Sequence, residues 1–199
     1  RVTLMPCNGT QVYKWTNSEF MCTHSANMRE HLGSENFDTV IKGLIFNQFI
    51  HVTSSGFDHP LTGHFISYRE SLVNWCPVGR NASDSQREIF VKQDNNKNIR
   101  KKLKRKMEQY VALHEIDNIT FTLGGSTSID IYPTGWDKTY SLNHYNNNVC
   151  WFVGDKCTND GNDRTIYEKL RRENRAFCTT GPEETINIIE EIIEKIKGE

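Results

Sequence analysis

Two kinds of strand in one chain restrict its architecture more than any other feature. Val149-Cys150-Trp151-Phe152-Val153 is apolar without interruption, the pattern of a strand buried on both faces in a parallel sheet. Ser128-Ile129-Asp130-Ile131-Tyr132 alternates polar and apolar residues, the pattern of an antiparallel strand with one face in a core and the other open. Phe65–Arg69, Leu72–Trp75 and Ile119–Leu123 also read as strands, and all of these fall within 26–134. The flanks, 1–25 and 135–199, look like pieces of a doubly wound α/β domain. One domain inserted into another is the expected organisation.

Helical spacing supports that division. Met28, Leu32, Val40, Ile41, Leu44, Ile45, Gln48 and Phe49 recur at helical intervals, and the stretch from Ser54 to Gly63, holding Pro60, reads as a loop. A helix is expected from Asn98 to His114, with Ile99, Leu103, Met107, Tyr110 and Val111 on one side and the basic run Arg100–Lys106 on the others. The last helix opens on Thr180 and Glu183, which fit a capping box, with Pro182 in its first turn. Its stripe of Ile186, Ile189, Ile193 and Ile196, widened by Ile188 and Ile192, is expected to face a core. At the opposite end, Asn8-Gly9 followed by Gln11–Trp15 reads as a hairpin.

Charge and cysteine usage exclude several functions. The 24 basic and 25 acidic side chains leave a net charge of −1, too small a field for a general polyanion binder. The Arg100–Lys106 run has no interleaved aromatics and is expected to be a solvated helix face rather than a nucleic-acid contact. The longest apolar stretches are far too short to cross a bilayer. Six scattered cysteines without a Cys-x-x-Cys pair argue against a zinc site. The first residues lack the layout of a secretion signal. A reducing, cytoplasmic setting is therefore expected, and the three Asn-x-Ser/Thr triplets are discounted.

Three constellations could carry chemistry, each against a bland alternative: an Asp turn after a strand, a solvated sheet face, and three unrelated surface arginines. Val153-Gly154-Asp155 would deliver a carboxylate at the carboxyl edge of a parallel sheet, and Asp163 returns eight positions later after Gly161-Asn162. Two carboxylates converging there suit a hard cation such as Mg²⁺. The alternation at Ser128 and Asp130 sets both side chains on one face, roughly 6.6 Å apart, where they could bind sugar hydroxyls. Arg69, Arg80 and Arg87 flank a strand and its outgoing turn, and guanidinium forks match phosphate. Three charged hydrogen bonds gross about 5–9 kcal/mol, against the about 8 kcal/mol of micromolar affinity.

Together these segments resemble eukaryotic-type phosphomannomutases of the haloacid dehalogenase superfamily, over nearly the whole chain. Pro6-Cys7-Asn8-Gly9 is similar to the family's Pro-Glu-Asn-Gly segment, and Arg69 through Pro77-Val78-Gly79-Arg80 to its Arg-Asn-Gly-Met…Ser-Pro-Ile-Gly-Arg stretch. Arg87-Glu88-Ile89-Phe90 is similar to its Arg-Ile-Glu-Phe. Gly124-Gly125 with Ser128-Ile129-Asp130, then Pro133-Thr134-Gly135-Trp136-Asp137-Lys138, Gly154-Asp155-Lys156, Gly161-Asn162-Asp163 and Pro182-Glu183-Glu184-Thr185, complete the order.

The resemblance implies a fold, a site and a reaction. The fold would be α/β: a partial doubly wound core (1–25 and 135–199) interrupted by an α+β cap (26–134) that pairs with a second copy as a homodimer. Arg69, Arg80, Arg87, Ser128 and Asp130 would bind a hexose phosphate in the cap. Lys138 would neutralise charge near the transferring phosphoryl group, and Asp155 with Asp163 would hold Mg²⁺. The family interconverts mannose 6-phosphate and mannose 1-phosphate, on the way to GDP-mannose, through an aspartyl-phosphate and a hexose bisphosphate. Its Asp-x-Asp-Gly-Thr segment, which carries the nucleophile and general acid, has no counterpart in these 199 residues. The chain begins with Arg1, and a fragment of a longer enzyme is expected. Asn159-Asp160 and Lys169-Leu170-Arg171-Arg172 also depart from the family's loops. A sugar-phosphate phosphatase of the same superfamily and a non-catalytic sugar-phosphate-binding scaffold are the competing readings.

Overall fold

A computed structural model describes residues 2–145, 150–158 and 161–198. The chain forms two compact units, Arg1–Trp136 and Asp137–Glu199.

In the first unit, β1 (Thr3–Leu4) and β2 (Gln11–Thr16) form the expected hairpin, with Asn8 and Gly9 both at positive φ in its connection. A third strand, β3 (Glu19–Ser25), completes an antiparallel sheet in the order β1-β2-β3. Most of β3 is exposed, so it lacks the alternation that would mark it in the sequence.

The larger sheet is antiparallel in the order β4 (Ile66–Tyr68), β5 (Val73–Trp75), β7 (Ser128–Pro133), β6 (Ile119–Gly124). Its register sorts the two faces. Val73, Ile131 and Phe121 stand opposite one another, as do Ile66, Trp75, Ile129 and Leu123. Val73, Trp75, Ile129 and Ile131 are completely buried. The helices α1 (Met28–Leu32), α2 (Ser34–Thr53), α3 (Asp84–Lys97) and α4 (Ile99–Leu113) accompany this sheet. Leu103, Met107 and Val111 of α4 are buried as their spacing predicts, and α4 packs on β6, β7 and α2. On α2, Val40, Leu44 and Gln48 are buried, whereas Ile45, Phe46 and Phe49 are exposed. A Cβ on Gly43 of α2 would lie 2.5 Å from the Tyr110 ring, so glycine is what lets α2 and α4 approach.

The α3 helix has no apolar stripe; only Phe90 and Asp94 are buried along it. Its start is fixed instead by a capping box between Ser83 and Gln86. At the junction with α4, Asn98 takes the left-handed conformation (φ 53°). There Asp94 accepts 2.7 and 2.6 Å hydrogen bonds from the Arg100 backbone N–H and Nε. Both side chains are about nine-tenths buried. The same guanidinium donates through Nη1 to the carbonyls of Gly125 (3.1 Å) and Ser128 (3.3 Å). Arg100 is thus turned inward, pinning the β6–β7 turn, and is not part of a solvated basic face.

The second unit contains a parallel pair, β8 (Phe152–Gly154) and β9 (Ala176–Cys178), with α5 (Arg164–Arg171) and α6 (Pro182–Gly198). The parallel pairing agrees with the sequence, but β8 is shorter than the apolar run and only half-buried, with β9 as its one neighbouring strand among the described residues. Val149, where the run begins, and Asn159-Asp160 lie outside the described residues. Leu142, Ile166 and Leu170 form the small core here, with Cys150, Phe152 and Ala176 against it.

Two expectations for α6 need correction. Glu184, not Glu183, closes its start, accepting from the Thr180 backbone N–H (2.6 Å) and hydroxyl (2.7 Å). Those donors hold the Glu184 carboxyl below its ordinary pKa. The isoleucine stripe is not a core contact within the described residues. Ile188 and Ile192, one turn apart, are buried, whereas Ile186, Ile189, Ile193 and Ile196 are exposed.

Breaking the Asp94–Arg100 pair from one side would leave a buried carboxylate uncompensated. Arg100→Met is therefore expected to cost about 3–5 kcal/mol of unfolding free energy, measured by denaturant titration. A loss under about 1 kcal/mol would show that the pair is not structural.

Candidate functional site

Across the four-stranded sheet, opposite the apolar rows, runs a polar one. Ser67 faces Asn74, Asn74 faces Asp130, and Asp130 faces Thr122, so all four strands contribute. Ser128 and Asp130 share this face, as period 2 requires. The row is held by the Asn74 carboxamide. Its Nδ2 donates to Asp130 Oδ1 at 2.6 Å, and its Oδ1 accepts from Arg80 Nη1 at 2.8 Å. Asn74 is buried and Arg80 is exposed. One buried amide thereby orients a carboxylate and a guanidinium, each keeping further capacity to bind.

Two glycines make this arrangement possible. A Cβ on Gly124 would lie 2.4 Å from Asp130 Oδ2, so the carboxylate occupies space that only glycine leaves. Gly79, at φ +94°, ends the turn before Arg80, and a Cβ there would meet the Gly63 carbonyl at 2.3 Å.

The three arginines have unequal surroundings. Arg80 and Arg87 are brought together, because Arg87 Nη2 donates to the Arg80 carbonyl at 2.7 Å. Arg87 also donates through Nε to Ala82 O (3.0 Å) and through Nη1 to Thr127 Oγ1 (3.0 Å). Three of its five N–H groups are thereby engaged, leaving two. Arg69 sits in the tight turn at the opposite end of β5, where its N–H donates to Leu72 O at 2.8 Å. Its backbone is roughly 10 Å from the Arg80 end of that three-residue strand. Its guanidinium has no hydrogen bond or ion pair among the described residues.

The second unit holds Lys138, Asp155 and Asp163. Asp163 precedes α5 and is buried. Its Oδ1 is ion-paired with Lys138 Nζ, and its Oδ2 accepts from the Lys156 backbone N–H at 3.0 Å. A Cβ on Gly154 would lie 2.6 Å from that Oδ2. Asp155, just past β8, is exposed, with Lys156 Nζ 3.6 Å away. Cys157 between them is no candidate nucleophile. Burial, aided by the Cys178 thiol, pushes it up to about 12, so it stays protonated and donates to Gly154 O at 3.1 Å.

These surroundings test the expected Mg²⁺ ligands. Mg²⁺ usually takes one or two protein carboxylates and fills its shell with water and phosphate oxygens. Asp155 fits, with its oxygens open to solvent. Asp163 is buried and engages the Lys138 ammonium through one oxygen and the Lys156 N–H through the other, and each oxygen keeps a further lone pair. No group of three or more His, Cys, Asp or Glu suited to a metal occurs among the described residues.

Asn74 escapes the sequence reading, as do the bracing role of Thr127, the space that Gly124 leaves and the inward turn of Arg100. Asn74 carried one local signal, a polar residue between Val73 and Trp75 in a strand, but its partner lies 56 residues away.

Comparison with known proteins gives a consistent picture. The sequence description of eukaryotic phosphomannomutases matches residues 3–195. Phosphomannomutase of Solanum lycopersicum is 36% identical over 161 residues, which cover 80% of this chain and 60% of that protein. The Drosophila melanogaster phosphomannomutase is 35% identical over 173 residues, covering 84% and 64%. The chain thus spans about three fifths of the length of these curated relatives. Among solved structures, an IMP-bound mutant of Plasmodium falciparum IMP-nucleotidase superimposes with a TM-score of 0.54 at 13% identity, covering 96% of this chain and 48% of that one. An IMP-bound, N-terminally truncated form gives 0.53 at 11% identity, covering 91% and 45%. At those identities the likeness concerns the fold alone, a mixed α/β one.

The Asn74 bridge predicts a measurable coupling. Asn74→Ala is expected to cost about 1–3 kcal/mol of stability by stripping Asp130 and Arg80 of a partner. In a double-mutant cycle with Arg80→Ala, the two losses should fall short of additivity by at least about 0.5 kcal/mol. Strict additivity would mean that the amide does not link them.

Proposed function

We propose, for a chain that belongs to the eukaryotic phosphomannomutase family, that its first unit binds a hexose phosphate and its second tends the transferring phosphoryl group. Family membership rests on the match to residues 3–195 and on the tomato relative's 36% identity over 80% of the chain. The observation that carries the binding role is the Arg80–Asn74–Asp130 chain on an otherwise polar sheet face.

Sugar phosphates present a dianion and vicinal hydroxyls. Arg80 offers the dianion a charged fork, supported by the two N–H groups that Arg87 keeps and by the unengaged guanidinium of Arg69. Asp130 and Ser128 would accept from and donate to the sugar hydroxyls. Arg87 serves chiefly to position, tying the Arg80 turn to Thr127. Because Asn74 presets the Arg80 and Asp130 rotamers, less side-chain entropy is lost on binding.

In the second unit, the Asp163 carboxylate aims the Lys138 ammonium, which would neutralise phosphoryl charge. Asp155 would hold Mg²⁺, which when bound supplies charge neutralisation and orientation of phosphate oxygens. No Asp-x-Asp pair occurs in residues 1–199, so the covalent phosphoryl acceptor is assigned to no residue of this chain. For the whole protein the reading is interconversion of mannose 6-phosphate and mannose 1-phosphate, with a hexose bisphosphate as activator and intermediate, on a route to GDP-mannose. Dimerisation through the inserted domain is supported by the exposed Ile45, Phe46 and Phe49 on α2. A reducing, cytoplasmic setting is supported by six free cysteines. No helix among the described residues is long and apolar enough to cross a membrane.

Calorimetric titration with mannose 6-phosphate tests the binding role. Arg80→Ala should weaken binding at least about tenfold, the equivalent of one charged hydrogen bond, whereas Asp155→Asn should leave the affinity of metal-free protein unchanged. Equal affinity of the Arg80→Ala and parent proteins would remove Arg80 from the site.

A further inference from the structure

The loop between α2 and β4 borders, with α4, a cleft of about 390 Å³ in the first unit. It lies outside the polar sheet row: none of Arg69, Arg80, Arg87, Asn74, Ser128 and Asp130 lines it. Its charge is strongly one-sided. Lys97, Lys102, Arg105 and Lys106 border it, against the single carboxylate of Asp58. That carboxylate is already taken, paired with Lys97 Nζ at 2.8 Å. Lys102, Arg105 and Lys106 have no carboxylate partner among the described residues. At spacings of three and four residues they form one stripe on α4.

The opposite wall is aromatic. His51 and His59 stack with ring centroids 4.9 Å apart, and Phe57 stands 5.4 Å from His51 and 4.5 Å from His59. The two imidazoles share one hydrogen bond, Nε2 to Nε2 at 2.7 Å, and His59 Nδ1 lies 3.0 Å from the Pro60 carbonyl. In the neutral tautomer with Nδ1–H pointed at that carbonyl, His59 Nε2 accepts the hydrogen bond that His51 Nε2 donates. Ile99 and Leu103 extend the apolar surface. Burial first, then the His59 ring and the Lys106 ammonium, lowers His51 to about 4. The cavity therefore combines flat neutral rings with three uncompensated cations at its rim.

From this we infer that the α2–α4 cavity is a second ligand site, for a phosphomonoester carrying a flat aromatic ring. The ring would lie against His51 and Phe57, and the phosphate would meet Lys102, Arg105 and Lys106. Concave sites of this size, mostly apolar with a few convergent polar groups, are typical of small-molecule binding. A phosphate dianion supplies the charge that the stripe lacks. The site is independent of the hexose phosphate row, so either can fail alone.

Adenosine 5′-monophosphate is the probe, with adenosine and inorganic phosphate as separate arms. It should bind the parent protein, Lys92→Glu and Arg80→Ala alike, and at least tenfold more weakly to a Lys102→Glu/Lys106→Glu protein whose circular dichroism is unchanged. Adenosine and phosphate alone should each bind at least tenfold more weakly than the nucleotide. In NMR titrations of the histidine rings, saturating nucleotide should raise the His51 pKa from its value near 4, because the phosphate cancels the Lys106 charge. Loss of nucleotide binding in Arg80→Ala would place the probe on the sheet row instead and overturn the inference. So would an unchanged affinity after the charge reversal, an unmoved His51, or phosphate binding as tightly as the nucleotide.

Discussion

One carboxamide holds the proposed binding face together. Asn74 is buried between an exposed cation and a partly buried anion, and its two ends have opposite hydrogen-bonding character, so it satisfies both at once. A carboxylate in its place would oppose Asp130, and an apolar residue would leave two polar groups stranded. The bridge depends on register, because only direct opposition of Asn74 and Asp130 allows a 2.6 Å contact. Register in turn depends on the β6–β7 turn, which Arg100 pins through the Gly125 and Ser128 carbonyls while Asp94 neutralises its charge. A buried ion pair on two helices thus sets the position of a carboxylate on a strand. Arg87 provides a similar brace on the other side, binding the Arg80 and Ala82 carbonyls and Thr127.

The second unit solves a related problem with fewer residues. Asp163 is almost fully buried, and its charge is tolerable because an ammonium and an amide N–H meet its two oxygens. That arrangement fixes Lys138 against one oxygen of a buried carboxylate. Asp155 remains the open carboxylate. The pair of acids that the spacing suggested therefore differs in surroundings: Asp163 is buried against the Lys138 ammonium, and Asp155 is open to solvent.

What could be read from residues alone follows from which interactions are local. The isoleucines and the Ser128–Asp130 pair on β7 were legible because period 2 is a property of one strand. The α4 core positions were legible for the same reason at period 3.6. Asn74 was not, since its meaning lies in a partner 56 positions away. The α3 helix hid because its only buried side chains are an aromatic and an ion-paired acid. On α6 the isoleucine stripe was plain, but periodicity identifies an apolar face without saying which part of it is covered. Arg100 looked like one more member of a basic run, and only the burial of Asp94 six residues earlier turns it inward. Lys102, Arg105 and Lys106 of that run line a cavity, a fact invisible in a helical projection that omits the loop from Ser54 to His59.

The central claim is that the Arg80–Asn74–Asp130 row is where a hexose phosphate sits. Heteronuclear NMR of the Asn74 side-chain amide and the arginine Nε–H groups, during titration with mannose 6-phosphate, examines those atoms directly. The account predicts that the Asn74 and Arg80 signals move together along one saturable curve, with smaller changes at Arg87. Perturbations that leave Asn74 and Arg80 unmoved while ligand binds elsewhere would contradict it.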